Sequence, residues 1–149
     1  MTRSENARLN MIESKMNCAQ SVLTAFSDEL GLDRATALKL AGGFGGGMGR
    51  TGKTCGAVSG AYLVIGLSES KAAREGVEAV YAKVQEFTRR FIELHGSTSC
   101  TELLNCDLCD PTELARARAE SLFTKACPVF VKDAVEIIEQ LGYNITSPV

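Results

Sequence analysis

The chain has 149 residues, 45% hydrophobic and 23% charged, enough to bury the core of one domain. Sixteen basic and 18 acidic residues leave a formal charge of −2, a field too weak to argue for nucleic acid or an anionic membrane as partner. The longest apolar run, Ala57 to Leu67, is broken by Ser59, Gly60 and Gly66, and the first six residues lead into no apolar stretch, so neither a membrane span nor a secretory signal is expected.

No alternating pattern of useful length occurs, and the repeating signal is helical. Asn17 caps a helix whose apolar face runs Cys18, Val22, Ala25, Phe26, Leu30, with Gly31 ending it in the left-handed region. Asp33 caps a short helix to Ala41. A glycine loop, Gly42 to Gly52, follows. Thr54 is the expected cap of a third helix, Cys55 to Leu67, apolar almost all round and therefore central. The longest helix should start at Ser68 to Ser70 and end near His95 and Gly96. Its stripe is Val77, Val80, Tyr81, Val84, Phe87, Phe91 and Leu94. Ser99 with Glu102 reads as a capping box opening a short helix at Cys100. Asp110, Pro111 and Glu113 repeat the device. Pro128 opens a last helix that turns Phe130, Val131, Ala134, Val135, Ile138 and Leu141 inward and stops at Gly142. The expectation is all-α: one domain, residues 1–149, built as a bundle of about seven helices with a Gly-rich loop before a central apolar helix.

Nine of the 14 glycines lie between Gly42 and Gly60. Gly47 to Thr54 spells the phosphate-binding string G-x-x-x-x-G-K-[ST]. Such a string works only between a parallel strand and a helix, and here a capped, helix-forming segment precedes it. Nucleotide binding at Lys53 and Thr54 is therefore the weakest reading. The stronger one is a tight loop whose Gly45, Gly46, Gly47 and Gly49, with Gly56, bring backbone amides close to an anionic group at Cys55.

Six cysteines occur without an export signal, so three disulfides are not the first expectation. Cys18 follows Asn17, Cys55 follows Thr54, Cys100 follows Ser99, and Cys127 precedes Pro128. Four thiols thus stand at the openings of four different helices. Unpaired N–H groups and the positive end of the helix dipole favour thiolate there. Four thiolates meeting in space repel one another. They need a metal or iron–sulfur centre between them, pairing as disulfides, or protonation. The bland alternative is that each is a buried small hydrophobe. Cys106 and Cys109 form a C-x-x-C and are additional candidate thiols. Taken with Cys100 and Cys127 they give C-x5-C-x2-C-x17-C, which admits zinc. The single histidine, His95, reads as a helix-end group rather than a ligand.

At Asn17-Cys18-Ala19-Gln20, at Gly42 to Gly49, at Cys55-Gly56-Ala57-Val58-Ser59-Gly60, at Cys100 to Leu104 and at Cys127-Pro128, the chain resembles a family of redox-active proteins named for a C…GCAxxG…C…C pattern. The family name writes Gly-Cys-Ala where this chain reads Cys55-Gly56-Ala57. The family in turn resembles the non-haem part of split-Soret-type cytochromes. That resemblance implies an iron–sulfur centre, 2Fe–2S or similar, with Cys55, Cys100 and Cys127 as ligands and Cys18 as fourth ligand or neighbour. No C-x-x-C-H is present for a covalent haem.

The resulting expectation is a cytoplasmic electron-transfer or redox-sensing accessory protein, rather than a substrate-converting enzyme. A redox protein would be its partner, and a homodimer is compatible with the sequence. A metal-free thiol–disulfide protein and a zinc-stabilised or structural interaction domain are the alternatives.

Overall fold

The computed structural model describes residues 1–69 and 76–143. Ten helical segments occur among them: α1 (Arg3–Glu13), α2 (Cys18–Ser27), α3 (Arg34–Ala41), α4 (Gly45–Met48), α5 (Gly56–Glu69), α6 (Val77–His95), α7 (Cys100–Leu104), α8 (Pro111–Ala119), α9 (Leu122–Lys125) and α10 (Cys127–Leu141). The chain is all-α. Its one sheet-like feature among these residues is an isolated antiparallel bridge between Thr54 and Ser99. Seven of the segments are the expected helices. The two single turns, α4 and α9, are additions, and so is α1. α1 lacks an apolar stripe because it buries only small residues, Ser4 and Ala7. No described helix is long and apolar enough to cross a membrane.

The central helix is α5, which packs against α2, α6 and α10. Its Gly56, Ala57, Val58, Ser59, Gly60 and Ala61 are all buried. Small residues allow α2 and α5 to approach closely. A methyl placed on Gly60 would stand 2.9 Å from the Ala19 carbonyl oxygen, and one on Gly56 would stand 2.9 Å from Cys18 Cβ. Glycine four residues apart on one face of α5 thus seats the first turns of the two helices together. α10 buries Phe130, Val131, Ala134, Val135, Ile137 and Ile138, and α1 lies across it.

Two expectations need correction. α5 continues through Ser68 to Glu69, and α6 opens after Gly76, whose φ is +83°. Ser70 lies outside the described residues. On α6 the stripe buries Phe87 and Phe91 fully and Val80 and Val84 in part, while Tyr81 is 56% exposed and Leu94 61%. The stripe winds round the helix, and only its middle faces α5 and α10.

Candidate thiol centre

Four local devices set the four cysteines. Asn17 Oδ1 accepts the Gln20 N–H at 2.8 Å, and Gln20 Oε1 accepts the Asn17 N–H at 3.0 Å, a complete capping box. Cys18 therefore holds the first helical position of α2. Asn17 Nδ2 also donates to the Gly42 carbonyl at 3.2 Å, and Gln20 Nε2 to that of Leu38 at 2.9 Å. The α2 cap thus satisfies the orphan carbonyls of α3 and aims the chain into the glycine loop.

Cys55 takes the cap position expected of Thr54. α5 begins at Gly56, and the Val58 N–H bonds the Cys55 carbonyl at 2.9 Å. Thr54 instead pairs with Ser99 across the isolated bridge. The Cys55 N–H donates to the Thr98 carbonyl at 2.7 Å, and the Cys100 N–H to that of Lys53 at 2.6 Å. These reciprocal bonds hold Cys55 and Cys100 at matching places, each one residue beyond the bridge. Sequence periodicity missed this pairing because two residues are too few to alternate. Its trace is the repeated hydroxyl–cysteine step, Thr54-Cys55 and Ser99-Cys100.

Ser99 caps α7 by accepting the Glu102 N–H. The return half of the expected box is absent: the Ser99 N–H bonds Ser97 Oγ at 2.9 Å, and that hydroxyl donates to Glu102. At α8 Asp110 caps as expected, while Glu113 pairs with Arg116 instead of reaching back. Cys127 is the first residue of α10, ahead of Pro128.

Cys18, Cys55, Cys100 and Cys127 are all buried, and all four line one cavity of about 540 Å³. Gly45, Gly46, Gly47, Gly49 and Gly56 line it too. The loop here turns left-handed: φ is positive at Gly46, Gly47, Met48, Gly49 and Arg50 in succession, and the Gly49 N–H bonds the Gly45 carbonyl at 2.8 Å. Left-handed turns of L-residues cost roughly 1–2 kcal/mol per residue, which is why glycine dominates this one. The turn presses on the thiols. A methyl on Gly47 would lie 2.5 Å from Cys100 Cβ, and one on Gly45 would lie 2.6 Å from Asn17 Cβ. This geometry also removes the nucleotide string as a phosphate cradle. α3 and a left-handed turn precede Lys53, where the motif requires a strand.

The helix-opening argument favours thiolate at every one of the four; burial reverses it at Cys55 and Cys100, and a hydrogen bond to a neighbouring thiol reverses it at Cys18. The Cys55 thiol is pushed up to about 11, first by loss of solvent, against the pull of the Ala57 and Val58 amides. Cys100 is pushed up to about 12 by burial and by the charges of Cys55 and Cys127. Cys18 rises because its thiol donates a hydrogen bond to Cys127, with burial adding to it. Cys127, accepting that bond, is the one that comes down.

The other candidates lie elsewhere. Cys106 is buried but donates to the Glu113 carbonyl at 3.1 Å, and Cys109 is exposed; neither lines the cavity. His95 ends α6, its Nε2 2.9 Å from Asp133 Oδ2 and its ring against Phe91 and Phe130. Nε2 is buried and makes no hydrogen bond among the described residues, so the contact with α10 is carried by the ring packing.

No group of three or more His, Cys, Asp or Glu side chains among the described residues converges as one ion would require. The donor set still fits a larger group. Four thiols face one space, no carboxylate or imidazole of the described residues competes on its lining, and glycine stands where a side chain would intrude.

Residues 16–141 match the model of the C_GCAxxG_C_C family, described as "Putative redox-active protein". The chain belongs to this family. An uncharacterized protein of Archaeoglobus fulgidus is 31% identical over 116 residues, covering 69% of this chain and 77% of its own. No solved structure matches at a significant level. The family's Gly-Cys-Ala order is transposed here to Cys55-Gly56-Ala57, and the contacts explain why the glycine stands second. Any Cβ at residue 56 would collide with Cys18, so the thiol sits one place earlier, at the cap.

Proposed function

We propose that the four-thiol cavity is the redox centre of this family member and that Cys18, Cys55, Cys100 and Cys127 hold an iron–sulfur cluster of the 2Fe–2S kind. The supporting observation is that four cysteines from four helix starts line one cavity with a left-handed glycine turn for a wall. A single tetrahedral ion draws its sulfurs to about 2.3 Å from one point. A cluster spreads the same sulfurs over a wider frame than one ion does. The bound group would supply one-electron transfer. The chain's own part is to exclude bulk water by burial, to offer amides at the openings of α2, α5, α7 and α10, and to hold Cys55 and Cys100 in register through the Thr54–Ser99 bridge. The cellular role is electron transfer or redox sensing with a protein partner.

The contact between Cys18 and Cys127 favours a second reading, a metal-free dithiol. The Cys127 sulfur would take part as thiolate. Closing the bond passes two electrons, and the one proton of the Cys18 thiol, to an oxidant of the disulfide class, whose two sulfurs leave as one thiol and one thiolate.

Cysteine variants separate the two. Under the cluster reading Cys55→Ala and Cys127→Ala each lose iron and the visible thiolate-to-iron absorption, and Cys109→Ala keeps both. Under the dithiol reading Cys55→Ala keeps full redox titration while Cys18→Ala and Cys127→Ala abolish it. Full iron in Cys55→Ala refutes the ligand assignment.

A further inference from the structure

The cavity holds more than thiols. Its walls include Met11, Leu103, Leu108 and Phe123, and the two charged groups on its lining are Lys15 and Arg50. Among the described residues, no carboxylate reaches this lining. Both cations are exposed, and neither forms an ion pair among the described residues. Both also stand on left-handed backbone, with φ +54° at Lys15 and +65° at Arg50. Non-glycine residues keep that conformation at a cost, and such strain gathers at functional sites. The Arg50 stem is seated too: a methyl on Gly46 would lie 2.7 Å from Arg50 Cγ, so the glycine leaves room for arginine to lie across it.

We infer that this cavity binds a small organic anion with an apolar body, its charge at Lys15 and Arg50 and its body among Met11, Leu103, Leu108 and Phe123, above the thiols. The volume of about 540 Å³ suits a ligand of this size. The inference deepens the redox reading by naming what shares the cavity with the centre. It would be a carboxylate or similar amphiphile, held beside the thiols.

Calorimetric titration of the native protein with octanoate, octylamine and octanol tests this directly. Octanoate should bind, octylamine should not, and octanol should bind more weakly. The variants Lys15→Gly and Arg50→Gly remove the charges while easing the backbone, so both should fold. Each should weaken octanoate by up to about fivefold, the range of a solvent-exposed charge contact. Added salt should weaken octanoate as well. Equal binding of octanol and octanoate, or unchanged octanoate affinity in the double variant, overturns the site. Iron is measured on the same samples. Iron present without octanoate binding removes the anion site alone, and octanoate binding to iron-free protein removes the cluster alone.

Discussion

Gly47 shows how much one residue carries. It stands at φ +68° inside the left-handed turn, and its missing side chain is the space taken by Cys100 Cβ. Gly43, four residues earlier, has nothing within 4 Å of an added methyl and no left-handed backbone. Gly47→Ala should therefore cost about 2 kcal/mol or more, from backbone strain and overpacking together. Gly43→Ala should stay within about 0.5 kcal/mol of wild type. Chemical denaturation of the two variants measures the difference, and equal stabilities would mean the turn does not press on Cys100. At this scale the sequence was partly legible. Density of glycine marked the loop, and hydroxyl or amide residues marked the helix starts beside Cys18 and Cys100. The handedness of the turn was not legible, because glycine-rich text is compatible with many loops and the two non-glycine members, Met48 and Arg50, give no local sign of it. The thiolate bias at helix starts was legible but incomplete, since burial, a property of the whole fold, outweighs it at Cys55 and Cys100.

Among elements, the α2–α5 pair decides where the thiols meet. Gly60 lets α5 lie on the Ala19 backbone, and a methyl there would lie 2.9 Å from a carbonyl oxygen that cannot rotate away. Gly60→Ala should cost about 1–3 kcal/mol. It should also loosen the centre five residues away at Cys55, seen as faster reaction of Cys18 and Cys55 with a thiol reagent. Unchanged stability and thiol protection would show that the helices are not in contact there. α6 is held differently, by a charged outer face. Arg89 and Arg90 bond Glu86 and hold its carboxyl down at about 2. A carboxyl lowered in the folded state stabilises above its ordinary value near 4.5, and the gain disappears as pH falls through about 2. Glu86 is solvated, so the effect is small. Thermal unfolding of Glu86→Gln should lie slightly below wild type at pH 7 and converge with it as the pH falls from about 4.5 to 2. The helices themselves were readable from caps and apolar spacing. α1 was not, since it packs through Ser4 and Ala7 and carries no stripe to read.

On the scale of the molecule, four helix starts distant in sequence face one cavity, although no run of residues states that they should. The convergence follows from three unrelated contacts: the Asn17 cap that also holds the end of α3, the two-residue bridge at Thr54 and Ser99, and the close seating of α5 on α2. Cysteine position on each helix was visible from sequence; their meeting is a tertiary fact, which the helix starts raised as a condition and the family resemblance favoured. The exposed Cys109, outside the cavity, provides the internal control. The most direct measurement is iron and acid-labile sulfide per chain in protein purified without oxygen. Two iron and two sulfide per chain, lost together in Cys55→Ala, are the predicted result. Colourless native protein free of iron, or iron retained in full without Cys55, would contradict the account.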